Sequence, residues 1–163
     1  MYKQRYDKVK TWILAKKRRQ VLLAFIYKYL PYSVFAGYAL LLAYLFFTKD
    51  GRLFICIAVP LFMFATLSAV RHFLDLERPY EKYDITPIYK KDTKGHSFPS
   101  RHTASAAVIG ATFLYVSTPL GAVFLTIALL IALSRIAAGV HFPRDAAAGF
   151  LYALLCGLVY LFF

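Results

Sequence analysis

The stretch TASAAVIGATFLYVSTPLGAVFLTIALLIALS, residues 103–134, contains no Asp, Glu, Lys or Arg. A bilayer core about 30 Å thick is crossed by about 20 helical residues, so this run is long enough for two short crossings. Near its middle, Ser117, Thr118, Pro119 and Gly121 are residue types that reverse the chain between helices. The stretch therefore predicts a pair of antiparallel membrane helices.

Three further runs without charged residues flank this stretch, namely Tyr29–Thr48, Leu53–Val70 and Ala146–Phe163. Each has the length of one crossing, which brings the expected total to five. The composition agrees, because 60% of the 163 residues are hydrophobic, 18% are aromatic and only 17% are charged, with a mean hydropathy of +0.56. These values exclude a soluble enzyme, a disordered chain and a disulfide scaffold. The sequence predicts an all-α fold, an integral membrane helical bundle of about five transmembrane helices.

The N-terminal segment has a different character from the rest of the chain. Residues 1–19 carry eight Lys and Arg interleaved with aromatic and aliphatic residues, a mixture typical of an amphipathic helix lying at the headgroup level. Val21–Leu30 is too short to span alone, and Pro31 is expected to interrupt the helix that follows. We therefore expect an interfacial segment over residues 1–30 and a membrane-embedded domain over residues 31–163.

The chain is strongly basic, with 20 Lys and Arg, 8 Asp and Glu and a net charge of +12. The basic residues stand beside apolar spans rather than in a soluble region, which predicts membrane lipids as partners and not nucleic acid. The expected location is a bacterial cell membrane. No motif indicates an oligomeric state.

Five crossings place the N-terminus and the loops 71–102 and 135–145 on one face, and the turns near residues 50 and 119 on the other. All four histidines lie on the first face, where side chains from separate loops can meet. Most of the interfacial Lys and Arg lie there too, so the positive-inside rule predicts that this face is cytoplasmic.

The first of three polar clusters on that face contains Arg71 and Arg78. The two residues are seven positions apart, close to two turns of a continuing helix, so both guanidinium groups are expected on one side of it. Guanidinium groups suit a phosphate, because they offer planar and permanently charged donors. Taken alone, the pair is more typical of positive residues that reach the interface at the end of a membrane span than of a phosphate site.

The second cluster is KGHSFPSRHT, residues 94–103, where the polar loop meets an apolar helix. The Ser100 hydroxyl and the free backbone amides of a new helix form an anion-binding N-terminus. His102 lies in the first turn, where a proton donor would face a bound phosphate. The alternative interpretation is a capped helix start with an interfacial histidine.

The third cluster is SRIAAGVHFPRD, residues 134–145. His141 and Asp145 are four positions apart, so the carboxylate is expected to orient and polarise the imidazole. The same spacing could serve a metal ion, with His96 or His102 completing the ligand set. The surrounding arginines disfavour a bound cation.

Together the three clusters resemble the signature of the type 2 phosphatidic acid phosphatase superfamily, membrane lipid phosphatases that share a fold with vanadium haloperoxidases. That signature reads KxxxxxxRP, PSGH and SRxxxxxHxxxD. This chain has RHFLDLERP, PSRH and SRIAAGVHFPRD in the same order between Arg71 and Asp145. Arg71 replaces the Lys and keeps a positive phosphate ligand, whereas Arg101 replaces the Gly and adds bulk and charge that are expected to alter headgroup choice.

The resemblance implies a phosphatase domain over residues 31–163 that requires neither a metal nor another cofactor. It implies that His141 attacks the phosphorus to form a phosphohistidine, that Asp145 holds the ring of His141, and that His102 protonates the departing oxygen and then helps to activate water. The expected phosphate ligands are Arg71, Arg78, Ser100 and Arg135, and the residues expected beside the substrate are Arg101, Ser134 and Gly139. His72 and His96 match no motif position and are expected to be loop or interfacial histidines.

The implied substrate is a lipid phosphate monoester or diphosphate. Undecaprenyl pyrophosphate, phosphatidylglycerophosphate and phosphatidate all present a phosphate at the headgroup level. Three alternatives stay open: a lipid phosphotransferase of the same fold, a metal-dependent membrane hydrolase, and a non-catalytic lipid-binding protein. Vanadate, a phosphoryl mimic, should strongly inhibit the metal-independent phosphatase, and a chelator should abolish only the metal-dependent activity.

Overall fold

The computed structural model describes residues 1–163 and contains helices and no strands, which confirms the predicted fold class. The longest segment outside a helix, residues 83–100, connects α5 to α6. In chain order the elements are α1 (Tyr2–Leu14), α2 (Lys17–Ala24), a π-helical turn (Phe25–Tyr29), α3 (Leu30–Phe47), α4 (Leu53–Leu74), α5 (Pro79–Lys82), α6 (Arg101–Val116), α7 (Thr118–Ala137), α8 (Pro143–Gly157) and a terminal 3-10 turn (Leu158–Phe162).

Four helical stretches are long and apolar enough to cross a bilayer: α2 continued into α3, the stretch that begins with α4, α7, and α8 with the 3-10 turn that follows it. Helix α6 has 16 residues, a length of about 24 Å. Every residue from Thr103 to Phe113 in α6 is buried, so this helix lies inside the bundle rather than against lipid. Adding the shorter, buried α6 to these four stretches gives a bundle close to the predicted number of about five membrane helices.

Small residues let the neighbouring helices approach α6 closely. A Cβ atom on Gly121 of α7 would lie 2.2 Å from the Cα of Leu114. A Cβ atom on Gly149 of α8 would lie 2.6 Å from the carbonyl oxygen of Ser100. Backbones approach this closely only through small residues, which is the usual way in which membrane helices pack. The start of α6 is therefore held directly against α8.

The first crossing does not begin at Pro31, which corrects the sequence-based expectation. α2, the π turn and α3 form one continuous helix of 31 residues, Lys17–Phe47. Val21–Leu30 is therefore part of this long helix instead of forming a separate short helix. The expected division between residues 30 and 31 lies inside this helix.

The helix continues through Pro31 because the backbone groups around it find other partners. Proline has no N–H to donate to the preceding turn. The helix widens there into the π turn, in which the N–H of Leu30 donates to the carbonyl of Phe25. The carbonyl of Tyr27, four residues before Pro31, accepts a hydrogen bond from Nη2 of Arg135 on α7 at 3.0 Å. Membrane helices tolerate proline where neighbours satisfy the freed groups in this way.

Helix α1 packs on both polar loops of one face. Tyr6 is only 5% exposed, and its hydroxyl lies 3.2 Å from the carbonyl oxygen of Thr86 and 3.3 Å from that of Ala138. The ammonium of Lys10 donates to the same Thr86 carbonyl at 2.8 Å. The N-terminus and the two loops therefore share one face of the bundle, as five crossings require.

Candidate active site

The three polar clusters converge at this face, where α4 ends, α6 begins and α7 is followed by α8. Nε of Arg78 donates to the carbonyl of Gly95 at 3.0 Å, which joins the first cluster to the second. The N–H of Ser100 donates to the carbonyl of Asp145 at 2.8 Å, which joins the second cluster to the third. Residues that are far apart in sequence therefore form one site.

His141 and Asp145 form the buried centre of this site. The side chain of His141 is 3% exposed and that of Asp145 is fully buried, with 3.7 Å between Nδ1 and Oδ2. That distance is longer than a hydrogen bond, and Nδ1 has no other partner. Nδ1 nevertheless faces the carboxylate, so Nε2 is the ring nitrogen directed away from it.

Burial is the main reason why the pKa of His141 falls to about 4, and the positive charges of Arg78 and Arg71 lower it further. The carboxylate of Asp145 opposes this shift without cancelling it. His141 is therefore a neutral imidazole at neutral pH, the form in which a ring nitrogen has a free lone pair. A histidine in this state is equipped to act as a nucleophile.

Asp145 is fixed by two hydrogen bonds to its Oδ2 atom. The hydroxyl of Ser97 donates at 2.5 Å and the N–H of Phe142 donates at 3.0 Å. Pro143 begins α8 just before Asp145, so the carboxylate lies in the first helical turn, where it satisfies a free amide. Ser97 was missed by sequence reasoning, because nothing in the motif spacing connects it to Asp145.

Gly139 lets the chain turn sharply between α7 and His141. Its φ angle is +77°, in the left-handed region that glycine adopts at little cost. A Cβ atom there would also lie 2.6 Å from the ring of Tyr6. Gly139 therefore acts through the shape of the turn and through close packing with α1.

Arg71 and Arg78 are both buried and both hold the loop that leads to α6. Nη1 of Arg71 donates to the carbonyl of Ser97 at 3.3 Å, and the guanidinium also contacts the carbonyls of Pro99 and His96. Nε of Arg78 donates to the Gly95 carbonyl in this loop, and its Nη1 lies 3.4 Å from the carbonyl oxygen of Val140. The two arginines thus tie the second cluster in place and bring positive charge to the site.

Arg135 approaches the site from α7. It is 4% exposed, and its Nη2 donates to the carbonyl of Tyr27. The Cζ atom of its guanidinium lies 3.9 Å from the centroid of the Tyr27 ring. The Nε atom is buried and has no hydrogen-bond partner. A buried donor without a partner is unusual, and an anion bound beside it would supply the missing acceptor.

The start of α6 contributes three of the predicted residues. Ser100 is fully buried, and its Oγ accepts a hydrogen bond from the hydroxyl of Thr103 at 3.0 Å. Arg101 and His102 are exposed in the first turn, and His102 lies within electrostatic range of Arg135 and His141. The N-terminus of α6 therefore presents both a buried hydroxyl and an accessible imidazole.

Ser134 and the two remaining histidines do not contribute to this centre. The hydroxyl of Ser134 donates to the carbonyl of Ile131 in its own helix at 2.7 Å. The Nδ1 atom of His96 lies 3.1 Å from Asp75 and 2.9 Å from the carbonyl of Arg71, and the ring of His72 stacks on His96. No group of three or more His, Cys, Asp or Glu side chains is arranged to hold a metal ion.

Lys91, in the loop before α6, is a further basic residue that the motifs do not indicate. It is half-buried, and burial lowers its pKa to about 8, with further lowering by the positive charge of the four arginines 71, 78, 101 and 135. Lys91 therefore adds a fifth positive group to the same region. Nothing in the sequence distinguishes it from its neighbours Lys90 and Lys94.

Comparisons with known proteins identify the family of this chain. The sequence profile of the PAP2 superfamily matches residues 75–163. The chain is 31% identical over 137 residues to the "Bacitracin transport permease protein BcrC" of Bacillus licheniformis. This match covers 82% of the chain and 66% of that relative.

Two solved structures superpose on nearly the whole chain. The LpxE structure from Aquifex aeolicus matches with a TM-score of 0.75 and 26% sequence identity. The match covers 96% of this chain and 94% of the LpxE chain. The PAP2 type phosphatidylglycerolphosphate phosphatase from Bacillus subtilis has a TM-score of 0.59 at 20% identity, covering 99% and 95%, and supports the fold alone. The matched profile includes two complete signature motifs and all of the His141 and Asp145 centre. The chain therefore belongs to the PAP2 superfamily of membrane phosphatases, as its three motifs predict.

Proposed function

We propose that this protein is a metal-independent lipid phosphatase that removes phosphate from a lipid phosphate monoester or diphosphate through a phosphohistidine intermediate. The observation that supports this most strongly is the state of His141. It is a buried, neutral imidazole that faces a fixed carboxylate on one side and lies among buried arginines. This environment suits a nitrogen nucleophile that attacks an anionic centre.

In the first step Nε2 of His141 attacks the phosphorus, and a nitrogen–phosphorus bond forms as the bond to the leaving oxygen breaks. The protonated imidazole of His102 gives its proton to that oxygen, which departs as a lipid alcohol or lipid phosphate. Asp145 stabilises the positive charge that develops on His141. Before substrate binds, partial burial and the positive charges of Arg135 and Lys91 disfavour the protonated form of His102, so the negative charge of the bound phosphate is needed for His102 to hold its proton.

In the second step a water molecule attacks the phosphohistidine. His102, now neutral, accepts a proton from the water, the nitrogen–phosphorus bond breaks, and inorganic phosphate is released. Arg78, Arg135 and the amides at the start of α6 stabilise the charge spread over the phosphoryl oxygens in both steps. Both Nη atoms of Arg71 already contact loop carbonyls, so we assign to Arg71 mainly the role of holding the loop and supplying positive charge.

The substrate class can be tested with purified protein in detergent. We expect release of inorganic phosphate from at least one of undecaprenyl pyrophosphate, phosphatidylglycerophosphate and phosphatidate. The activity should persist in a chelator and be inhibited by orthovanadate. A chelator-sensitive activity would support the metal-dependent alternative, and no release from any of the three lipids would contradict the proposal.

We further propose that the site faces the cytoplasm. The N-terminal helix packs on both active-site loops, so its Lys and Arg residues lie on the same face of the bundle as the site. The opposite turns carry only Lys49 and Arg52, and Arg52 is paired with Asp50 at 2.7 Å. The positive-inside rule favours retention of the more basic face in the cytoplasm.

A further inference from the structure

Tyr27 holds the guanidinium of Arg135 through two independent contacts. Its ring lies below the group, with the Cζ atom 3.9 Å from the ring centroid, and its backbone carbonyl accepts a hydrogen bond from Nη2 at 3.0 Å. A ring below a guanidinium leaves the N–H groups free, because they point outward in the plane of the group. The buried Nε is one such group, and no protein atom accepts a hydrogen bond from it.

The surrounding structure keeps Tyr27 in this position. Pro31 supplies no N–H, so the Tyr27 carbonyl is left for Arg135. The ring of Tyr27 also stacks on Tyr89, with 4.5 Å between centroids and 29° between planes. Tyr89 belongs to the loop that leads into the second cluster. Tyr27 therefore joins the first crossing, the active-site loop and α7 at a single point.

We propose that Tyr27, which lies outside every motif, is a positioning residue that sets the orientation of Arg135 toward the substrate phosphate. This inference rests on the proposed phosphatase function. A long arginine side chain has many rotamers, and fixing one of them before the substrate binds removes an entropic cost from the reaction. The benefit is largest in the transition state, where charge on the phosphoryl oxygens is greatest.

The first test compares three tyrosine variants by the rate of phosphate release. Tyr27→Leu removes the ring below the guanidinium, and we expect kcat/KM to fall about tenfold, mainly through kcat. Tyr27→Phe keeps the ring and the carbonyl and should retain nearly full activity. Tyr29→Leu is the matched control, because Tyr29 is two positions away in the same π turn but is 54% exposed.

A double-mutant cycle separates positioning from a general structural role. If Tyr27 acts through Arg135, Tyr27→Leu should change kcat/KM less than about twofold when Arg135 is already replaced by Gln. An equal tenfold loss in both backgrounds would overturn the inference, because the two residues would then act independently.

Pro31→Ala provides a second test, which leaves the side chains of Tyr27 and Arg135 intact. The new N–H can donate to the Tyr27 carbonyl, and an oxygen shared between two donors holds Arg135 less firmly. We expect equal or higher thermal stability in detergent, because a helical hydrogen bond is gained, together with a loss of about threefold in kcat/KM. Activity that falls while stability does not fall is a result that a purely structural role would not give.

The outcomes distinguish this inference from the proposed function. If the unaltered protein releases no phosphate from any lipid tested, the proposed function fails, and the inference fails with it. If the unaltered protein is active but Tyr27→Leu and Pro31→Ala both match Tyr29→Leu, only the positioning inference fails. If Tyr27→Leu does not fold, Pro31→Ala decides the question, because unchanged activity in that variant would overturn the inference.

Discussion

At the residue scale, the proposed mechanism depends on the environment of His141. Burial and the neighbouring arginines keep its imidazole neutral. The carboxylate of Asp145 lies beside Nδ1, where it would stabilise the positive charge that develops when Nε2 attacks the phosphorus. Ser97 and the Phe142 amide hold that carboxylate at a fixed position. The proposed nucleophile is therefore neutral at neutral pH and needs no separate base to deprotonate it.

Replacing His141 with Ala should abolish turnover while the protein remains folded and inserted, because the proposed nucleophile is lost and Nδ1 of its ring has no hydrogen-bond partner in the fold. We expect a loss of about a thousandfold or more in kcat. Phosphate release and thermal unfolding in detergent measure the two properties separately. Activity close to that of the unaltered protein would contradict the phosphohistidine mechanism.

Asp145→Asn belongs to the same step and should lower kcat by about 100-fold with a smaller change in KM. The amide oxygen of Asn can still accept the hydrogen bonds from Ser97 and Phe142, so we expect the fold to be retained. The amide carries no charge, and it cannot stabilise the imidazolium that forms during attack. A rise in KM with unchanged kcat would argue against this role.

The pH dependence of kcat/KM should report the charge on Lys91. Its pKa of about 8 means that Lys91 is positive below that pH and becomes neutral as the pH rises through it. A neutral Lys91 attracts the substrate phosphate less, so kcat/KM should decline above about pH 8. Lys91→Gln should flatten this decline. Lys90→Gln, at the exposed neighbouring position, is the control and should leave the profile unchanged.

His141 sets the expectation at the acid end of the same profile. Its pKa is lowered to about 4, so the neutral and reactive form is lost only as the pH falls toward that value. No loss of activity through titration of His141 is therefore expected between pH 6 and 8. A steep fall in kcat/KM near pH 6.5 that persists when each of the other titratable residues is replaced in turn would contradict the neutral state assigned to His141.

At the element scale, the contact between α6 and α8 sets the distance between the second and third clusters. Gly149 packs on the carbonyl of Ser100, and the N–H of Ser100 donates to Asp145 in the first turn of α8. Ser100 and Asp145 are therefore placed by one helix contact. The absence of a side chain at Gly149 is what permits it.

Gly149→Ala should disturb both stability and activity. The new Cβ atom would lie 2.6 Å from the Ser100 carbonyl oxygen, and because that neighbour is backbone the helices must separate. We expect the free energy of unfolding to fall by about 1–3 kcal/mol. Phosphate release should fall as well, since Asp145 and Ser100 move apart.

Gly51→Ala is the control for this substitution, because a Cβ atom at Gly51 meets no atom within 4 Å. Thermal unfolding in detergent and kcat should both stay close to those of the unaltered protein. A Gly149→Ala protein with full stability and full activity would show that α8 is not held against α6 in the way described.

At the scale of the whole molecule, α1 and the five membrane helices determine which face carries the site. The contacts of Tyr6 and Lys10 put the basic N-terminus on the active-site face. The C-terminus and the two short turns lie at the other end of the bundle. The direction of insertion therefore decides which pool of lipid phosphate the site reaches.

Cysteine labelling in intact cells tests the cytoplasmic assignment. Lys90→Cys and Lys49→Cys, each made in a background lacking Cys56 and Cys156, place one thiol on each face. An impermeant reagent should label position 49 and spare position 90. Permeabilised cells, in which both positions should react, provide the control. Labelling of position 90 with protection of position 49 would reverse the assignment.

The sequence alone determined the class of fold and the family, and it predicts the residues of the catalytic centre. Runs without charge can lie in a bilayer whatever their neighbours are, so the number of crossings follows from local composition. The three motifs are also local, and they fixed the family before any contact was known. Pro31 was misjudged because the partner that satisfies the nearby carbonyl, Arg135, is 108 positions away from Tyr27.

Only the tertiary structure decided how the motif residues are held and charged. The bond from Ser97 to Asp145, the support of Arg135 by Tyr27 and the half-buried position of Lys91 all join residues from different elements. The low pKa of His141 likewise depends on burial and on arginines from another helix. Hydrogen bonding, desolvation and charge depend on distances in space, and these distances exist only once the helices have packed.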